Sequence, residues 1–173
     1  QYVLPRYNYN KNLKVSEIDG SFNFSSSGSN YLRDTNSLKS SITNNLSYST
    51  PDYFTNNGFK NNMNLYFKNL NSVGKKDQSY TSSPRIEGMG LFEISSSLPL
   101  VKNNDLSKEI LIPKISFRAN PVNDMIDYSS SSKVINADNA FAINRLGLSD
   151  TFEQGKSITL GLDYKFDIET NID

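Results

Sequence analysis

The clearest pattern in the chain lies toward its C-terminal end. There Ile158, Leu160, Leu162, Tyr164, Phe166 and Ile168 alternate with Thr159, Gly161, Asp163, Lys165 and Asp167. Alternation at period 2 puts successive side chains on opposite faces of a strand, one face apolar and the other polar. The run is longer than the ~5–6 residues usual for a strand in a soluble sheet. It matches the ~9–11 residues with which a tilted strand crosses a bilayer.

Shorter runs repeat the theme. Met63, Leu65 and Phe67 oppose Asn64, Tyr66 and Lys68; Ile42, Leu46 and Tyr48 oppose Thr43, Asn45 and Ser47. Phe22 and Phe24 oppose Ser21, Asn23 and Ser25, and Leu111, Ile115 and Phe117 oppose Lys114, Ser116 and Arg118. The stretch 86–98 is Gly-rich and carries apolar residues on both parities, which predicts a bulge or a bend. Together the runs predict an all-β, antiparallel up-and-down meander of about seven strands. They lie near 3–10, 18–32, 37–50, 59–70, 84–98, 108–119 and 156–168.

The connections add a second signal. Loops at 11–14, 51–57 and 99–107 share one end of such a meander; loops at 33–36, 71–82 and 120–155 share the other. The two longest therefore fall together, as in outer-membrane barrels with short periplasmic turns and long extracellular loops. Seven strands do not close a bacterial barrel, since single-chain examples begin at 8 with even numbers. The expectation is one partial barrel domain over 1–173, a segment of a larger barrel, with a probable extracellular loop at about 120–155. Gln1 is not a start Met, no signal peptide is visible, and the polar stretch 169–173 lacks a barrel's usual aromatic terminus.

Composition narrows the chemistry. The chain has no Cys and no His, which excludes disulfides, zinc sites of the usual ligands, and Ser-His or Cys-His catalysis. Lys+Arg and Asp+Glu are both 18, so no basic face points to nucleic acid. Ser and Asn make up about 28% of the residues and the aromatics are all Tyr and Phe, a mixture suited to half-exposed strands. Gly88-Met89-Gly90 matches part of a dinucleotide fingerprint, but it sits in a strand with no helix to follow. Asp124, Asp127, Asp138 and Asp150 read as solvated loop acids, because they lack the spacing of a calcium loop. The reading is of a non-enzymatic chain with no cofactor or metal.

Beside this stands a resemblance. Ser83-Pro84-Arg85-Ile86-Glu87-Gly88, then Leu98-Pro99-Leu100 and Leu111-Ile112-Pro113-Lys114-Ile115, resemble a strand pair of the LPS-assembly protein LptD family. The family's following long loop closes on a pattern close to N-R-[FL]-x-G-x-D-x-x-E-x-G. Asn144, Arg145, Leu146, Gly147, Asp150, Glu153 and Gly155 are similar to it, with Gly147 one position early and Thr151 where a basic residue often stands. These departures leave open which charges in the loop pair. Leu4-Pro5-Arg6-Tyr7-Asn8-Tyr9 is also similar to a family strand.

The resemblance implies the central part of a C-terminal barrel in the outer membrane of a Gram-negative bacterium. Such a barrel delivers lipopolysaccharide to the outer leaflet, plugged by an LptE-like outer-membrane lipoprotein. Periplasmic bridge proteins supply it through an N-terminal domain. On this reading Ile158, Leu160, Leu162, Tyr164 and Phe166 face outer-membrane lipid; Asp163 and Lys165 face the lumen, as do Lys68, Lys114 and Arg118. Two alternatives stay open: a porin or receptor barrel, and a soluble secreted adhesin-like β protein.

Overall fold

The computed structural model describes residues 2–14, 17–33, 36–104, 107–122, 125–128 and 132–168, without the side chains of 2–4. In chain order the strands are β1 (Tyr2–Leu13), β2 (Ser21–Leu32), β3 (Leu38–Ser49) and the two-residue β4 (Tyr53–Phe54). They continue with β5 (Lys60–Lys75), β6 (Arg85–Ser97), β7 (Leu100–Asn104), β8 (Ser107–Asn120) and β9 (Gly155–Ile168). All join one antiparallel sheet. The described residues contain no helix.

The nine elements reduce to seven long strands, because β4 is a short flap on β5 and β7 prolongs β6. The pairings Ser97↔Lys114 and Leu100↔Leu111 continue in one register, bridged by a hydrogen bond from Leu98 N–H to the Pro113 carbonyl at 3.0 Å. Pro99 interrupts the ladder where it costs little. Its missing N–H points to the side of β5, whose pairing with β6 already ends at Lys60↔Ser97. The stretch 99–107 is thus mostly strand rather than the expected loop, and 105–106 lie outside the described residues.

Two other expectations change. The register of β5 on β6 is unbroken from Lys60↔Ser97 to Ser72↔Arg85, so 86–98 holds no bulge. The apolar residues of both parities there reflect a strand covered on one face by a loop and apolar on the other. The one shift in the β1–β2 ladder falls between Leu4 and Tyr7 instead. The strand β5 also runs on to Lys75, so the connection after it is 76–84, no longer than 50–59. The asymmetry between the sheet's two ends therefore rests on 121–154 alone.

That long connection folds back over one face of β5, β6, β8 and β9. Leu70, Met89 and Leu91 are buried against Met125, with Tyr66, Val122, Tyr128, Ile143 and Phe152 packed around them. The covered face also carries the polar parity: Lys68, Ser72, Glu87, Glu93, Ser116, Arg118 and Asn120. The opposite face is bare and mostly apolar, crossed toward β2 by a hydrogen-bonded row of Ser26, Asn44, Asn69 and Asn71. Cross-strand neighbours there include Leu46↔Phe67, Ile94↔Phe117, Phe117↔Ile158 and Ile115↔Leu160. Ile158, Leu160 and Leu162 are 66%, 75% and 62% exposed, which is the reverse of a water-soluble sheet.

The apolar band runs obliquely to the strands. Between β8 and β9 it extends from Phe117↔Ile158 toward Glu109↔Phe166. Between β2 and β3 its apolar pairs are Phe22↔Tyr48 and Phe24↔Leu46, beyond which the polar pairs Ser26↔Asn44 and Asn30↔Ser40 interrupt the face. The row holding Phe22 and Tyr48 runs on through Leu65 and Phe92 to Ala119, so the band slides along the strands from one side of the sheet to the other.

An apolar face of this extent is an aggregation surface in water. The chain made without detergent is expected to precipitate or form large particles in light scattering, and to stay dispersed and β-rich in micelles. A monodisperse monomer in plain buffer would contradict the face assignment.

Candidate functional site: the loop-covered polar face

The covered face holds charge in a way that alternation alone does not require. Glu93 on β6 and Arg118 on β8 are direct cross-strand partners, with Arg118 Nε donating to Glu93 Oε2 at 2.6 Å. Their side chains are only 7% and 4% exposed. Removing one partner of such a pair strands the other and costs about 3–5 kcal/mol, although the intact pair adds little net stability. Asn64 on β5 donates to the other Glu93 oxygen at 3.2 Å. Neighbouring Glu87 accepts from Ile126 N–H at 3.2 Å and from the Tyr128 hydroxyl at 2.8 Å, and pairs with Arg85. Burial and this bond push the Tyr128 phenol above its ordinary pKa.

Met89 does more than fill space. Its sulfur lies 3.3 Å from Phe152 N–H and 3.4 Å from the Thr151 hydroxyl, both in the loop. Asn120 at the end of β8 donates to the Glu153 carbonyl at 3.2 Å, fixing the point where the loop returns to β9. Lys68 on β5 reaches the Ser149 carbonyl at 2.8 Å and lies 5.3 Å from the Phe152 ring centroid. Each loop segment that crosses the face therefore brings a partner for a polar group below it.

The loop's internal order comes from its small polar residues. Asp127 Oδ1 accepts from the N–H groups of Ser149 and Asp150, and Asp150 Oδ2 accepts from Tyr128 N–H at 3.2 Å. Asn144 closes a turn with Leu148 through both ends of its amide. Leu146 accepts from Lys133 N–H at 2.7 Å. Gly147 and Gly155 sit at φ +66° and +87°, values that glycine adopts without strain.

Arg145 is the hinge-pin of the arrangement. Its guanidinium grips both Glu153 oxygens through Nε and Nη2. It also donates to Thr159 Oγ1 at 2.8 Å and Ser157 Oγ at 2.9 Å on β9. The bond to Glu153 and its charge hold the Arg145 proton more firmly, and the same bond lowers the Glu153 carboxyl. The motif residues Asn144, Arg145, Gly147, Asp150, Glu153 and Gly155 thus converge on docking the loop, with Leu146 in its backbone.

A second anchor lies further along β9. Phe141 packs over Gly161 so closely that a Cβ there would meet the ring at 2.5 Å. Lys114 sits 4.4 Å from the Phe141 ring centroid and pairs with Asp163 at 2.8 Å. Asp163 is therefore on the covered face, as is the exposed Lys165, while Ile158, Leu160, Leu162, Tyr164 and Phe166 occupy the bare one. The Phe141–Gly161 fit is not visible in the sequence, because nothing local ties a loop aromatic to a strand glycine.

Asp127 and Asp150 lie together beside Lys68, each bonding the other's segment of backbone, and Asp124 lies outside the described residues. Among the described residues no group of three or more Asp or Glu is placed to hold a metal ion. Gly88 and Gly90 lie on the bare face of β6, with Phe67 leaning over Gly90. No family model matches the chain, and no curated protein matches it.

Replacing Arg145 with Met should release the loop from β9 while the strands stay paired. Because Glu153 keeps some solvent contact, the cost is expected near the low end, about 2–3 kcal/mol. The Glu153 carboxyl is depressed in the folded chain, so its contribution is complete above its ordinary value of 4.5 and is lost as pH falls through the lowered one. A fluorophore on Ala137→Cys, in a chain with no other cysteine, reads both effects as loop mobility. Equal mobility in the Arg145→Met and parent chains would remove Arg145 from this role.

Proposed function

We propose that this chain is a wall segment of an outer-membrane β-barrel of the lipopolysaccharide-assembly (LptD) type, a structural and non-enzymatic role. The observation that carries the reading is the inversion of the sheet: its polar face is roofed by its own loop and its apolar face is bare. Water penalises that arrangement. A fully buried Leu, Ile or Phe gains about 1.5–3 kcal/mol on leaving water, and β9 alone presents six such side chains or Tyr to the outside. Lipid on the bare face and a polar lumen on the covered one give every strand its proper solvent on each side.

Closure of the ladder supports the same reading. In a bilayer each backbone N–H and C=O needs a partner, and among the described residues no pairing joins β1 to β9. Further barrel strands on both sides would complete those edges. The motif of Asn144, Arg145, Glu153 and Gly155, and the two Pro-bearing strands, favour the lipopolysaccharide-assembly type. A porin or receptor barrel would share the inversion without that motif. In the proposed setting the lumen receives a lipoprotein plug, periplasmic bridge proteins deliver lipopolysaccharide, and 121–154 folds into the lumen from the extracellular side.

Two measurements test the reading. Depleting the parent protein is expected to remove lipopolysaccharide from the cell surface; unchanged surface lipopolysaccharide with lost solute uptake would favour a porin instead. Leu162→Arg should impair membrane insertion by about 2–4 kcal/mol if it lies near the midplane, and Asp163→Arg much less. Equal insertion of the two variants would overturn the assignment of lipid and lumen faces.

A further inference from the structure

A groove of about 590 Å³ opens on the bare face, at the end of the sheet opposite 121–154. That volume is ordinary for a cleft that holds a small molecule. Its floor is the cross-strand pair Met63↔Ile94 beside Tyr48, all on the apolar parity. Exposed Ile18, before β2, and Tyr53, of β4, also line it. The polar side chains in the groove are turned to the protein's own backbone. Tyr48 donates its hydroxyl to the Asp19 carbonyl at 2.8 Å, and Asn62 donates to the Thr50 carbonyl at 2.7 Å. Asn61 donates to the Tyr53 and Phe59 carbonyls, and Thr50 Oγ1 accepts from Met63 N–H at 2.9 Å. What the groove offers an occupant is therefore apolar surface, which suits hydrocarbon.

The rim decides which hydrocarbon. Glu17, Asp19 and Asp52 border the same groove. Asp52 is paired with Lys60 at 2.7 Å, but among the described residues neither Glu17 nor Asp19 is in an ion pair. An apolar floor with uncompensated negative charge at its lip matches an acyl chain whose head carries a cation, and repels an anionic head. In the barrel setting proposed above, this end of the bare face meets the periplasmic leaflet. We propose that the groove between Ile18 and Tyr53 seats one acyl chain of an amine-headed glycerophospholipid, with its ammonium against Glu17 and Asp19. The site rests on the outer-membrane reading for access to lipid, and goes beyond it by selecting one class of lipid on the periplasmic side.

The test uses the intact parent protein in nanodiscs holding equal amounts of phosphatidylethanolamine and phosphatidylglycerol. A benzophenone-bearing phenylalanine replaces the exposed Tyr53, and mass spectrometry reads which lipid it captures on illumination. It should capture about three times more phosphatidylethanolamine, the scale of an exposed charge pair. That preference should fall toward parity in about 0.5 M salt, which screens exposed charges beyond a few ångströms. Glu17→Gln combined with Asp19→Asn, both at exposed positions, should abolish it. Heat-resistant gel mobility shows that each variant folds. The same probe in place of Leu162, on the bare run of β9, samples lipid away from the groove and should show no preference. Equal capture of the two lipids at Tyr53, a preference unchanged in the double variant, or the same preference at Leu162 would overturn the site and leave the barrel reading standing. Capture of neither lipid at either position would overturn both.

Discussion

A sheet face carrying Lys68, Glu87, Glu93, Arg118 and Asn120 can be covered only by a segment that brings hydrogen-bond partners with it. Bare hydrocarbon laid over those groups would leave each unpaired, at about 1–3 kcal/mol apiece and more for the charged ones. The connection 121–154 meets the requirement with backbone carbonyls at Ser149 and Glu153, N–H groups at Ile126 and Phe152, and the Tyr128 hydroxyl. Its Asn and Asp side chains instead bond within the loop and hold those backbone groups in place. A loop of this length with little regular structure is uncommon in a compact domain unless it is functional, and here it serves as the roof of a polar wall.

The apolar contribution is small and local. Leu70, Met89, Leu91 and Met125 are the centre of the only cluster of buried hydrophobic residues among those described, and it lies under the loop rather than between two layers. Most of the large apolar side chains are on the other face, where the chain itself offers nothing to cover them. Their cross-strand pairs, such as Phe22 stacked on Tyr48 with centroids 4.4 Å apart, stiffen the sheet without drying it. The bare face and the roofed face are thus one design: the strands hold together through their ladders and charges, and leave the hydrophobic surface for an outside solvent.

Arg145 and Phe141 fix where the roof sits. One supplies a charged clamp to Glu153 and two hydroxyls of β9; the other supplies shape, filling the hollow that Gly161 leaves. These two anchors hold the loop to β9, while its buried cluster with Leu70, Met89 and Leu91 and its bonds to Lys68, Glu87 and Met89 hold it to β5 and β6.

The alternation of polar and apolar residues was enough to determine the all-β class, the antiparallel meander and which side of β9 is apolar, since side-chain direction in a strand is a local property of the backbone. The positive φ of Gly147 and Gly155, by contrast, is a finding of the structure. Strand ends were less legible: the continuation through Pro99 depended on where β5 stops, and the even register of β6 on both strands beside it. Whether the two parities of 86–98 meant a bulge or a strand apolar on both faces was settled only when 121–154 folded over one of them. The partners of Arg118, Arg145, Met89 and Phe141 are likewise tertiary facts. They lie 8 to 63 residues away along the chain, and a charge pattern read along one strand carries no information about which distant segment will come to rest on it.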